Sequence, residues 1–261
     1  MRNTVIIYTL IILASATGNL YGQESPYRAG EKVSYYIHYG FLSGGVATLR
    51  MENDTILGKD VLYTVLSGRT TGMADAIYKV RDYYRSYIDP ATGLPVKAIR
   101  DITEGRYTKY NELVFDHYTR GDSALVHSKL TGTHVTPTPI YDILSAFYFL
   151  RSYYLAGGYQ LKEEEVITIM TWFTDELYPI MLRFKGYETV KTPIGKIECL
   201  AFNPVTEVGR LFKTEEDMTI WISNDKNYLP VKIRFDIFVG KVTVDIEKHE
   251  GLAWPLNIKT K

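Results

Sequence analysis

The chain of 261 residues contains a single cysteine, Cys199. No internal disulfide can form, so the fold must stand on its core. Neither charge sign is in excess, since 30 Lys and Arg oppose 30 Asp and Glu. That balance speaks against nucleic-acid binding and against electrostatic adsorption to anionic lipid. Beyond residue 22 no apolar run reaches the ~20 residues of a membrane-spanning helix. Catalytic motifs are missing too. There is no Gly-x-Ser-x-Gly elbow, and Gly58-Lys59 and Gly195-Lys196 lack the flanking residues of a phosphate-cradling loop. The five histidines, His38, His117, His127, His134 and His249, show no metal-ligand spacing. A meeting of His117 and His127 across a hairpin would still lack a third and fourth ligand. No metal, cofactor or catalytic residue is expected.

What is present begins with an address. Arg2 precedes the apolar run Val5 to Ala14, and small residues offer exits at Ala14-Ser15-Ala16, Ala16-Thr17-Gly18 or Leu20-Tyr21-Gly22. This is the pattern of a secretory signal peptide, expected over residues 1–22, and no cysteine at its exit could carry a lipid. The mature chain is expected in the periplasm or outside the cell. Cleavage after Gly22 leaves 239 residues, 261 less 22. A chain of that size buries roughly 70–75% of its unfolded surface without covalent help. One β-rich domain over 23–252 suffices, followed by an aperiodic tail, 253–261.

Tyrosine is the outlying residue, at 22, and its enrichment beside Thr and Val favours strands. Alternation dominates after residue 30. Val33, Tyr35, Ile37 and Tyr39 share one face, and a turn at Leu42-Ser43-Gly44-Gly45 leads to a second strand, Val46 to Met51. Further strands are predicted over about 61–67, 81–88, 94–103, 107–116, 123–130, 165–173, 180–189, 195–204, 217–223, 229–238 and 241–249. Met73 to Tyr78 reads as a short helix, and Thr131 to Pro139 as a loop dividing halves 27–130 and 160–250. One long helix is predicted over Tyr141 to Leu155, where Ile143, Leu144, Phe147, Leu150 and Tyr154 fall at helical spacing between Pro139 and Gly157-Gly158. The fold class is therefore mainly β: a curved antiparallel sheet or open barrel-like architecture with one central helix. Leu94-Pro95-Val96-Lys97 recurs as Leu229-Pro230-Val231-Lys232, and Leu57-Gly58-Lys59 finds an echo at Ile194-Gly195-Lys196, at offsets of 135 and 137. Two related β units joined by the helix would give that spacing.

Several features carry chemistry only weakly. Cys199 alternates as a small strand residue and reads as a buried thiol. Glu163-Glu164-Glu165 and Glu215-Glu216-Asp217 read as solvated charge, and Arg120-Gly121-Asp122 as a turn. The helix is the most distinctive patch. Phe147 and Phe149, set against Phe235 and Ile237 of a late strand, are the candidate walls of an apolar cleft.

The opening Tyr27-Arg28-Ala29-Gly30-Glu31-Lys32-Val33, the helix pattern Asp142-x-x-Ser145-Ala146-x-Tyr148-x-x-Arg151, and Met218 to Asp225 followed by Leu229-Pro230-Val231 together resemble the exported bacterial proteins grouped as domain of unknown function 3108. The resemblance implies an envelope location and a largely antiparallel β fold; it supplies no catalytic residues. The expected function is non-enzymatic binding of a lipid, another hydrophobic small molecule or an acylated partner. The alternative is an interaction or assembly module of the outer envelope, contacting an envelope protein through a sheet edge or through Trp172, Trp221 and tyrosines. An enzyme acting on cell-wall glycan is the remaining alternative, and it would need two facing carboxylates.

Overall fold

The computed structural model describes residues 24–205, 217–237 and 240–259, with the side chain of Ile237 excepted. The expected signal peptide and Glu215-Glu216 lie outside the described residues. Eight strands come first: β1 (Lys32–Tyr39), β2 (Leu42–Ile56), β3 (Lys59–Thr70), β4 (Val80–Ile88), β5 (Pro95–Glu104), β6 (Tyr107–Asp116), β7 (Ala124–Ser128) and β8 (Gly132–Thr136). The short helix α1 (Gly72–Ile77) separates β3 from β4. After β8 come helix α2 (Ile143–Phe149) and then β9 (Val166–Phe173), β10 (Glu176–Thr192), β11 (Gly195–Pro204), β12 (Met218–Ser223), β13 (Pro230–Ile237), β14 (Gly240–Glu250) and β15 (Ile258–Lys259).

All the strands join one antiparallel sheet, in the order β8-β7-β6-β5-β4-β3-β2-β1-β14-β13-β12-β11-β10-β9, with β15 added to β11. The chain meanders outward from β1 to β8, crosses through α2 to the opposite edge, and meanders back until β14 pairs β1. Turns of a few residues join β1 to β2, β2 to β3, β5 to β6, β9 to β10 and β10 to β11, which antiparallel pairing permits. The sheet is not closed. Its edges approach where Tyr141 makes a single parallel bridge to Thr171 and where the His134 ring lies 4.7 Å from Trp172.

Curvature brings both halves of the sheet around α2. Leu144 packs with Val33, Leu49 and Ile246; Tyr148 packs with Met51 and Ile88; Ala146 and Leu150 pack with Ile167, Leu182 and Phe202. Because the helix is enclosed on all sides, its apolar residues need not form a single stripe.

The two Leu-Pro-Val-Lys segments hold equivalent places. Tyr87 faces Lys97 and Ile88 faces Pro95, so Val96 is skipped. Trp221 faces Lys232 and Ile222 faces Pro230, so Val231 is skipped. Each bulge sits just after a turn closed by a backbone bond, Asp89 N–H to Leu94 C=O at 2.9 Å and Ser223 N–H to Leu229 C=O at 2.7 Å. Proline suits this start of a strand because it lacks the N–H that the ladder would use.

Four expectations need correction. The first turn lies at Gly40-Phe41, because Leu42 and Ser43 already pair with Tyr39 and His38. Residues 132–136 form the edge strand β8 rather than a loop; the prolines stop the strand at its end without preventing it. The long helix is α-helical only from Ile143 to Phe149 and continues as a wider π-helical turn, Leu150–Leu155. Its start is fixed by Asp142, whose carboxylate accepts the N–H groups of Leu144 and Ser145, while Ser145 Oγ accepts the Asp142 N–H. Lastly, the tail is folded onto the domain. Trp254 N–H donates to Asn227 Oδ1 at 2.9 Å, and Leu252, Leu256 and Ile258 join the packed cluster around Ile197 and Trp221.

Candidate ligand-binding site

The helix is anchored at both ends by buried polar side chains. At its start Ser86 and Ser145 hydroxyls donate to Asp142 Oδ2 at 2.6 and 2.7 Å. Burial pushes the Asp142 carboxyl above its ordinary pKa, against the lowering effect of those hydrogen bonds. In the π-helical turn Arg151 is completely buried and bidentate on Glu31, at 2.6 and 2.8 Å. Its remaining donors reach the carbonyls of Pro26, at 2.9 Å, and Asn227, at 3.0 Å. Tyr148 accepts from the Thr64 hydroxyl at 3.1 Å. Asp142, Ser145, Tyr148, Arg151 and Glu31, quoted above as a sequence pattern, are thus the polar ties that hold the helix inside the sheet. Every one of these groups is satisfied from within the protein, so they act as structure.

Beside the helix lies a cavity of about 200 Å³. Phe147 and Leu150 form its helical side, and Ile169, Leu182, Phe202 and Ile233 line the sheet side. All of its lining residues are apolar. Phe147 is where sequence reasoning placed it. Phe149 is not in this wall: two positions along a helix is about 200° around it, and its ring stacks on Tyr141 at 4.6 Å and Tyr153 at 4.9 Å instead. Phe235 is half-buried on β13, paired with Met218 and Val242, and lines none of this cavity. The side chain of Ile237 lies outside the described residues. The sheet wall was missed because β11 reads Cys199-Leu200-Ala201-Phe202 without polar alternation, and only burial on both faces explains such a run.

Other candidates fall elsewhere. Trp172 and Trp221 are 6% and 5% exposed, which removes them as an external contact surface. Both were expected on a polar face, but Trp172 packs where the sheet edges approach and Trp221 packs under the tail. Cys199 is buried, and burial pushes its thiol up to about 12. His127 lies opposite Val114 and bonds Thr133, while His117 stacks beside Phe115, so the two histidines do not meet. Glu164 pairs with Arg183 and Lys185, Glu165 bonds the Tyr159 hydroxyl, and Arg120 turns back onto Ser123. Among the described residues no helix is long and apolar enough to cross a membrane, and no group of three His, Cys, Asp or Glu could hold a metal.

No curated protein matches the chain. Among solved structures it is similar to a β-barrel-like protein of domain of unknown function DUF1849 from Brucella abortus. The TM-score is 0.55 at 10% identity, over 85% of this chain and 98% of that one, a likeness of fold alone. Residues 34–247 match the family model described as protein of unknown function (DUF3108). Since that match spans most of the chain, the protein belongs to the DUF3108 family.

Proposed function

We propose that this is an exported, non-enzymatic envelope protein that holds one slender apolar chain, a lipid tail or the acyl group of a partner, between α2 and strands β9–β13. The observation that carries this reading is the wall of the cavity, apolar throughout and built on rigid elements. A void of about 200 Å³ lies below the ~300–1,000 Å³ of most small-molecule pockets, which suits a single chain better than a bulky ring system. The test is binding of 1-dodecanol, followed by displacement of a fluorescent apolar probe from the mature chain. Saturable binding is expected, weakened about tenfold or more by Ala146→Leu, whose extra carbons enter the cavity wall. A folded wild-type protein that binds neither probe nor alcohol would end this reading.

A second reading, an interaction module, is supported by exposed apolar side chains at one end of the sheet. Phe41 is 94% exposed on the β1–β2 turn, and Met73 and Ile77 of α1 are 80% and 81% exposed. The two segments are neighbours, since Thr71 N–H donates to Gly44 C=O at 3.2 Å. Exposed apolar clusters of this kind mark contact sites. A photo-crosslinking residue at position 41 should trap one discrete envelope partner in cells, while the same residue at position 120, in the opposite turn, should not. Equal trapping at both positions would remove this reading.

A further inference from the structure

Ile143, at the first turn of α2, lines the apolar cavity and also a second, smaller one of about 40 Å³. The second cavity lies between β4–β6 and the β9–β10 turn, and its wall is different in kind. Arg100 projects from β5 with its guanidinium 4.8 Å from the Phe173 ring centre and 5.8 Å from that of Tyr84. Its Nε is buried with no hydrogen-bond partner. Trp172, 6% exposed, holds a buried indole N–H that is also without a partner. Two unpartnered N–H donors on residues that line one small cavity are unusual, because buried donors are nearly always satisfied.

The other charges around the cavity are already matched. Asp175, on a two-residue turn where it and Thr174 both have positive φ, accepts from Asn111 at 2.7 Å and Ser128 at 2.6 Å and faces Lys109 Nζ at 3.5 Å. Asp142 is held by Ser86 and Ser145. Arg85 lies 3.5 Å from Asp101. Asp82, further along the inward face of β4, acts on Arg100 only through space. Among the described residues no carboxylate forms an ion pair with Arg100. What remains is the Arg100 guanidinium, which meets only the neutral Tyr84 hydroxyl, and two N–H donors without a partner.

We propose that this cavity receives the carboxylate of an aliphatic carboxylic acid whose chain occupies the neighbouring apolar cavity. The inference rests on the reading of that apolar cavity given above and names the class of its ligand. A planar carboxylate matches a guanidinium fork and gains charge-assisted hydrogen bonds there. Space argues the same way: about 40 Å³ has room for roughly three water-sized groups, enough for a carboxylate and too little for a phosphodiester headgroup.

The experiment compares dodecanoate with 1-dodecanol on the mature wild-type chain at pH 8, by calorimetry or displacement of a fluorescent probe. Dodecanoate should bind about tenfold or more tightly, as expected when an ionised acceptor meets buried donors. In Arg100→Gln the ratio of the two affinities should fall to near one. Trp172→Phe, which keeps the ring and deletes its N–H, should lower it about threefold or more. Equal affinities of the wild-type protein for acid and alcohol would overturn the carboxylate site while leaving the apolar cavity standing. Binding of neither would overturn both. The wild-type comparison decides even if a variant fails to fold.

Discussion

The charge that holds this protein together is one that its sequence makes look out of place. Arg151 stands in an aromatic and aliphatic helix, and it is tolerable there only because Glu31 and two carbonyls take up its donors. Removing one partner of such a pair leaves the other charge stranded. Glu31→Gln or Arg151→Met should therefore cost about 3–5 kcal/mol in urea unfolding. Glu31→Leu combined with Arg151→Met should cost less than the sum of the single changes, by about 1 kcal/mol or more. Asp142 gives the opposite kind of prediction. Its folded-state pKa is raised above the unfolded value of ~3.9, so its contribution is fully present below that value and is lost as pH rises through the folded pKa. The stability of the wild-type protein relative to Asp142→Asn should accordingly increase as pH is lowered from 7 towards 4, read from urea midpoints. Cys199, with its thiol raised to about 12, should react with a disulfide reagent at pH 8 only after denaturation.

Among the elements, the strands were legible because each is a half-buried surface with a period of two. Val33 and Tyr35 of β1 point inward exactly as alternation demands, and β6 and β11 begin and end where the sequence placed them. What alternation did not show was where a strand pairs in spite of its composition. Residues 132–136 look like a loop, yet they complete an edge because β7 offers them a ladder. The tail was unreadable for the same reason: its order comes from Asn227 and from the start of β11, ahead of the residues that pair with β12, both remote in sequence. Its course depends on Gly251, at φ 63°, where an added Cβ would come 2.0 Å from the Gly30 carbonyl oxygen. Gly251→Ala should destabilise the protein by about 1–3 kcal/mol in urea unfolding, because both backbone conformation and space exclude a side chain.

For the whole molecule, the dependence of stability on acid should reflect groups on both sides of the balance. Hydrogen bonds and charge from Arg81 hold Asp75 at about 2, and those from Lys97 hold Glu112 at about 2. Their folded pKa values are depressed, so what they contribute is present above the unfolded value of ~4 and is lost as pH falls through 4 towards 2. The Asp75 and Glu112 contributions should be constant from pH 7 to 5, beneath the rise that Asp142 supplies, and urea midpoints should decline below pH 4. Both side chains keep a quarter to a third of their surface in water, so the decline should be gradual and should flatten at high salt.

The sequence by itself determined the class of fold, the helix that packs inside the sheet and the absence of an internal disulfide. Composition and local periodicity are enough for these, since each strand and helix records which of its faces is dry. Tertiary structure alone decided that β14 returns to β1, that Arg151 meets Glu31 across 120 residues of chain, and that Phe147 lines a cavity while Phe149 does not. Those outcomes depend on how far the sheet curves and on the direction of a side chain around a helix. Neither is written in a one-dimensional pattern, because both are set by the packing of residues that are distant along the chain.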